Sequence, residues 1–396
     1  MTNLFEKEKD SKNVVLKSNI LCYFIQNGNS TTNDLAKEFN LSIPTMAKTI
    51  NEMSAGGYVL EYGKLETGEG RRPNLYGLNP DSGYFIGVDM KQSSLSIGLM
   101  NFRGDLVDLI DDEPFSSDNT QASLDELCDR IVRFIEHIKV PREKVLNVNI
   151  NISGRVNPDT GYSYSFYNFS EMPLNAYISE KVGCDVSVDN DSRAMAYGEY
   201  MQGCAKGEKN VLFLNLSWGL GLGIIIDGNL YKGKSGFSGE FGHMHAFDNE
   251  ILCRCGKKGC LETEASGSAF YRIFKERIKN GETSILKTKN GEEITLLDLV
   301  KATNQEDPLC IDILEQIGHN LGMHVAGLIN LFNPELVILG GTLSLTGDFI
   351  LHAVRSAVLK YSLNLVNRDT QIRISKLKDR AGVLGACMLA RNNILQ

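Results

Sequence analysis

Apolar positions near the N-terminus recur at helical spacing. Val15, Ile20, Leu21, Phe24 and Ile25 mark one face of a helix over 14–26, which Asn27-Gly28-Asn29 ends. Ser30 is placed to cap a second helix, 31–39, with Leu35, Ala36 and Phe39 inward, and Asn40-Leu41 makes a tight turn. Ser42 caps a third helix, 43–53, with Ile43, Met46, Ile50 and Met53 inward. Two short helices about a turn, after a longer one, predict a helix-turn-helix. The outward face of the last helix then offers Thr45, Lys48, Thr49 and Glu52, short polar and basic side chains that suit a major groove. A strand starting at 56–60, a Gly-rich turn over 61–72 and a return strand at 75–78 predict a wing, with Arg71 and Arg72 set to reach phosphates or a narrow minor groove. A protein-interaction module of three helices and a hairpin is the competing reading; helix order, wing and paired arginines favour DNA.

Beyond Asn79-Pro80 the pattern changes to short apolar runs separated by amphipathic segments. Strands are predicted at 84–89, 94–101, 105–111, 145–152 and 186–189, with helices at 124–137 and 192–203. A second series has strands at 211–216, 223–227, 336–341 and 371–375, and helices at 266–280, 295–303, 308–330, 349–361 and 382–392. Strand and helix in repetition mean two α/β lobes. No internal repeat stands out in the sequence. No apolar run has the length of a membrane span, and Met1 to Asp10 is charged and polar, unlike a signal peptide.

Composition changes this picture in two places. Residues 1–80 balance basic against acidic side chains, so the whole formal charge of −8 falls on the remainder. A neutral head on an acidic body allows DNA binding through a local patch and excludes a protein that coats nucleic acid by its overall field. Of nine cysteines, Cys22, Cys128, Cys184, Cys204, Cys310 and Cys387 are scattered among apolar neighbours and read as reduced core residues, which predicts a cytoplasmic protein.

The other three cysteines carry chemistry. Cys253-Arg254-Cys255-Gly256-Lys257-Lys258-Gly259-Cys260 follows Glu240-Phe241-Gly242-His243 closely. Three thiolates and an imidazole satisfy tetrahedral zinc with no open position, so His243, Cys253, Cys255 and Cys260 predict a structural site; His245 competes with His243 for the fourth place. Three buried thiols beside a histidine are the bland alternative. Glu240 and Glu262 flank the loop, and their carboxylates accept hydrogen bonds from hydroxyls.

Gly-Glu-Phe-Gly-His at 239–243 with Cys-x-Cys-Gly-x-x-Gly-Cys-Leu-Glu at 253–262 resembles the signature of the ROK family of repressors, open reading frames and sugar kinases, over roughly 81–396. The head and its Gly-Arg-Arg-Pro wing resemble the repressor branch. The resemblance implies an N-terminal winged helix-turn-helix at 1–80 followed by a two-lobed actin-like body with a structural zinc loop. The first lobe would be 81–190, completed by 380–396, and the second 191–379. It also implies a sugar site of Asn190, Asp191, Glu240, His243 and Glu262, with Asn190-Asp191 equally able to serve as a helix N-cap pair. Asp191 matches the catalytic base of the kinases. The phosphate loops depart from the kinase pattern. The first, Asp89-Met90-Lys91-Gln92-Ser93-Ser94, lacks its glycine. The second, Ser217-Trp218-Gly219-Leu220-Gly221-Leu222-Gly223, carries Trp218 and Leu222 as added bulk. The expectation is a DNA-binding repressor of carbohydrate metabolism, without ATP chemistry. It would respond to a sugar or sugar phosphate and assemble as a homodimer or homotetramer that reads paired half-sites of operator DNA, with no membrane partner. An active ATP-dependent sugar kinase that also binds DNA, and a regulator controlled by a protein partner, are the rivals.

Overall fold

A computed structural model describes residues 12–65, 72–169, 171–286 and 294–395. The chain divides into two compact units. One comprises Met1–Ile152, Thr160–Asp189 and Ala386–Gln396, the other Ser153–Asp159 and Asn190–Gly385. In chain order the head holds α1 (Lys12–Asn27), β1 (Ser30–Thr31), α2 (Thr32–Glu38), α3 (Ile43–Ala55), β2 (Val59–Lys64) and β3 (Asn74–Leu78). There follow β4 (Tyr84–Met90), β5 (Ser94–Asn101), β6 (Leu106–Pro114), α4 (Gln121–His137), β7 (Val145–Ile152), β8 (Val156–Asn157), β9 (Tyr162–Ser163), α5 (Leu174–Val182) and β10 (Val186–Asn190). The rest is α6 (Asp191–Gln202), β11 (Val211–Leu216), β12 (Leu220–Ile226), β13 (Asn229–Leu230), α7 (Gly267–Lys279), α8 (Leu296–Asn304), α9 (Pro308–Phe332), β14 (Leu336–Gly340), α10 (Asp348–Tyr361), α11 (Asn364–Asn367), β15 (Gln371–Ile374) and α12 (Ala381–Leu395).

The head is a winged helix-turn-helix, with three local corrections. Ser30 is a strand residue paired with Tyr76, and the cap of α2 is Thr31. Its hydroxyl accepts from Asp34 N at 3.2 Å, while Asp34 accepts in return from Thr31 N, a capping box. Ile43, expected inward, is 53% exposed, because as the first residue of α3 it precedes the turn that meets the core. Thr49, expected outward, is 6% exposed and donates its hydroxyl to Thr45 O at 3.1 Å. Met46, Thr49, Ile50 and Met53 together follow the 3–1–3 spacing of one buried helix stripe. The three-stranded sheet has the order β1-β3-β2, and β2 runs on to Lys64, into the stretch expected to be turn.

Each unit is built on a five-stranded sheet, and the two share one topology. The orders are β10-β7-β4-β5-β6 and β13-β12-β11-β14-β15. In both, an antiparallel three-stranded meander is extended on the other edge of its first strand by a parallel neighbour and then one strand more. In the second unit, β11 sorts its side chains by strand period. Val211 and Phe213 pack with Ile225, Leu336, Ile338 and Ala196 of α6. Leu212, Leu214 and Leu216 face the opposite way, into a core shared with helices α7 to α10.

Candidate metal centre and ligand site

The second unit gathers the chemistry. The loop after β13 turns through a short 3-10 helix, Phe241–His243, and returns through Cys253 to a second one, Leu261–Thr263. Cys253 N donates to Lys257 O at 2.8 Å and Gly256 N to Cys253 O at 2.9 Å, which closes a tight knuckle around the thiols. Gly259 closes it from the other side at φ +72°, where a Cβ would lie 2.2 Å from Phe247 O.

His243, Cys253, Cys255 and Cys260 bring four ligand atoms within 4.8 Å of one another. Cys255 Sγ lies 3.6 Å from Cys260 Sγ, and His243 Nδ1 lies 3.5 Å from Cys253 Sγ. A tetrahedron with Zn–S of about 2.3 Å has S···S edges of about 3.8 Å, so the donor set fits zinc in chemistry and in size. Burial pushes the Cys253 thiol up to about 12 and also raises Cys260. At Cys255 burial opposes ionisation too, but the Lys257 N–H and the neighbouring thiols outweigh it and lower the pKa. Such a set binds a dication by exchanging protons for it. His245 is not in the cluster: it is exposed, with Nε2 3.9 Å from Asp248 Oδ1.

The two flanking carboxylates are held differently. Glu262 Oε2 accepts from Leu220 N at 2.9 Å, and its Oε1 lies 3.6 Å from Cys253 Sγ. It therefore ties the metal loop to the 217–220 turn. Glu240 is exposed, 3.8 Å from His243 Nε2, so the imidazole has one nitrogen toward the thiols and the other toward this carboxylate. Asn190 is the N-cap of α6: Oδ1 accepts from Arg193 N at 3.1 Å, and Nδ2 donates to Gly154 O at 2.9 Å. Asp191 Oδ2 accepts from Ser153 Oγ and Oδ1 from Ser192 N, both at 2.7 Å. From Ser192 Oγ the chain of bonds runs to Asn215 at 3.1 Å and on to Ser217 at 2.7 Å, reaching the turn that Glu262 holds.

Ser153 and Arg193 were not legible as site residues. Arg193 is buried on α6 and donates to the carbonyls of Gly236 and of Val156, the latter at 3.2 Å, which fixes the segment leading to Glu240. A lone arginine after an Asn-Asp pair gives no sign of this.

In the head, Thr45 and Lys48 are exposed on α3, as is Arg72 just before β3; Arg71 lies outside the described residues. Thr49, buried, leaves that face.

The ROK family pattern matches residues 85–393. The chain belongs to the ROK family. A winged helix-turn-helix DNA-binding pattern matches residues 16–59. The chain is similar to the xylose repressor of Caldicellulosiruptor bescii, 30% identical over 364 residues that cover 91% of each chain. In structure it is similar to a ROK family transcriptional regulator described as a homolog of the E. coli MLC protein, with 27% identity, a TM-score of 0.82 and 97% of each chain covered. It is also similar to a ROK family glucokinase from Streptomyces griseus in complex with glucose and AMPPNP, with 29% identity, a TM-score of 0.70, and 78% of this chain and 100% of that one covered.

The stretch expected to match the second phosphate loop, residues 217–223, runs from a turn into β12. Leu222 is a core side chain of β12, so its bulk faces away from the turn, contrary to expectation. Gly221 and Gly223 belong to β12, and a Cβ on them would strike Ser192 Oγ at 2.1 Å and Ala196 Cβ at 2.3 Å of α6. Trp218 stays on the turn, its ring 5.6 Å from that of Tyr271.

Proposed function

We propose that this ROK protein is a transcriptional repressor of carbohydrate metabolism whose operator affinity is set by a sugar or sugar phosphate. One observation carries the reading: a winged helix-turn-helix head shares the chain with Glu240, His243 and Glu262 around a Cys3His loop and with Asn190 and Asp191 at the start of α6. A sugar presents a ring of hydroxyls, each donor and acceptor, and Asn190, Asp191, Glu240, His243 and Glu262 supply complementary groups. Zinc bound by His243, Cys253, Cys255 and Cys260 would supply rigidity, holding both ends of the loop and hence Glu240 and Glu262. The head, residues 1–80, would read DNA through Thr45 and Lys48 on α3, with Arg71 and Arg72 on phosphate or minor groove. The first lobe is assigned to 81–190 with 380–396, and the second to 191–379. A homodimer or homotetramer follows from the paired half-sites such heads read.

The test is a panel of free and phosphorylated sugars, xylose and glucose included, scored by thermal shift and by release of operator DNA. A ligand that binds only the native state stabilises it, by about 2.7 kcal/mol at a hundred times Kd. One member is expected both to raise Tm and to change operator affinity, while Arg72→Ala is expected to flatten the salt dependence of DNA binding. No shift with any member would favour a regulator driven by a protein partner.

A further inference from the structure

Ile43, the first residue of α3, is a branched aliphatic side chain left outside the buried stripe of Met46, Thr49, Ile50 and Met53. A helix start is ordinarily a place for polar side chains and outward N–H groups. Here the polar groups are turned back on the helix. Ser42 Oγ accepts from Thr45 N at 3.3 Å, and the hydroxyls of Ser42 and Thr45 share a hydrogen bond of 2.7 Å. Met46 N donates to Ser42 O at 3.0 Å, and Pro44 has no N–H to give. The backbone of this first turn therefore has little to offer a phosphate. What it presents is apolar: Ile43 is 53% exposed, and Pro44 is exposed beside it. Farther along, Lys48 is exposed and is the one basic residue of α3. Glu52, its one acidic residue, lies 2.9 Å from Lys17 Nζ of α1, so that charge is balanced within the head. The helix thus offers a partner an apolar first turn, one cation and a compensated acid.

We infer that Ile43 reads the 5-methyl group of a thymine in the major groove of the operator. In a helix-turn-helix the first residues of the second helix reach base edges. The thymine methyl is the apolar group on those edges, and an aliphatic side chain gains by covering it, whereas it can make no hydrogen bond to the other bases. The winged helix-turn-helix DNA-binding pattern spans residues 16–59 and so includes α3, which selects DNA over a protein as the occupant of this face. Charge from Lys48 supplies attraction to the duplex without this selectivity. The role of Ile43 rests on the repressor reading and adds to it a base and the side chain that reads it.

The test begins with the full chain selecting duplexes from a random library, with and without the sugars of the panel. Each thymine of the enriched duplex is then replaced in turn by uracil, which lacks the 5-methyl group and keeps the hydrogen-bonding edge. One thymine per half-site is expected to matter: its replacement weakens wild-type binding about fourfold, the worth of one methyl group taken out of water. Ile43→Ala is expected to bind the thymine and uracil duplexes alike, and to keep the Tm of wild type because the side chain it trims is exposed. Lys48→Ala is expected to weaken binding to both duplexes equally and to keep the methyl effect. Uracil tolerated at every position, or a uracil effect that persists at full size in Ile43→Ala, overturns the role of Ile43 and leaves the repressor reading standing. No enriched duplex under any condition overturns both.

Discussion

Glu240 and Glu262 flank one metal loop yet carry different loads. Both oxygens of Glu262 are engaged, one by the Leu220 N–H and one beside Cys253 Sγ. Glu240 is exposed and faces His243 Nε2, so its acceptors are the ones most open to a ligand hydroxyl. A charge-assisted hydrogen bond is worth about 1.5–3 kcal/mol, so Glu240→Gln is expected to weaken sugar binding about tenfold or more while zinc content and operator binding persist. Cys255→Ser is expected to do the reverse: metal is lost and stability falls, because binding by such a set is also folding energy. Zinc analysis and sugar-dependent operator release on the same samples check both, and a Glu240→Gln protein that responds at wild-type sugar concentrations sinks the role given to Glu240. The clustering of His243 with Cys253, Cys255 and Cys260 was legible because Cys-x-Cys spacing is local. The burial of Thr49 and Leu222 was not, since a residue at the margin of a helix stripe or in a glycine-rich strand is sorted by what packs on it.

At the scale of elements, strong periodicity located α1, α3, α4 and α7 to α10, and their ends differ from expectation mostly by a residue or a few. What escaped was short or held by tertiary contacts. β1 is two residues long and exists because β3 pairs with it. α5 spans nine residues, and its N-cap, Pro173, makes no side-chain cap bond, so the usual start signal is missing. α9 has a start that works harder than its sequence suggests. Asp307 is buried at the N-cap, where it accepts from Cys310 N at 2.8 Å, Ile285 N at 2.7 Å and Ser284 Oγ at 2.9 Å. Burial raises its pKa, but these donors outweigh burial and leave it lowered. With the folded pKa below the unfolded value of about 3.9, the contribution is complete above that pH and is lost as pH falls through the folded pKa. Asp307→Ala is expected to destabilise by about 1–2 kcal/mol from the cap alone, and Asp307→Asn by less at neutral pH. Urea melts of the three proteins at pH 7 and pH 3 test this. An alanine variant as stable as wild type at pH 7 would show that the cap carries no stability.

At the scale of the molecule, two sheets of one topology underlie a sequence in which no repeat can be read. The strand order is kept by backbone pairing, whereas the side chains serve a different set of helices in each unit, so the pattern drifts while the fold does not. The same distinction decides between regulator and kinase, since the likeness to a glucokinase fixes the fold and leaves the activity to the site. A phosphate cradle needs free backbone N–H groups on a turn clear of side chains. Here the Leu220 N–H is taken by Glu262, Gly221 and Gly223 are pressed against α6, and Trp218 lies on the turn beside Tyr271. In the other unit, the turn after β4 closes on itself through Lys91 N to Ser94 O at 2.9 Å, and Asp112 accepts from both Lys91 Nζ and Ser94 Oγ. A carboxylate already seated on that hairpin disfavours a phosphate by like charge. Asp191 accepts from Ser153 Oγ and Ser192 N, and phosphoryl transfer is mostly positioning and charge stabilisation of the donor, which on the repressor reading we propose these turns do not provide. The expectation is therefore that ATP consumption stays at background with every sugar of the panel, including the one that shifts Tm. ADP release measured by a coupled assay tests it, with Asp191→Asn as the control. Sugar-dependent consumption that disappears in Asp191→Asn would make this chain a kinase carrying a DNA-binding head.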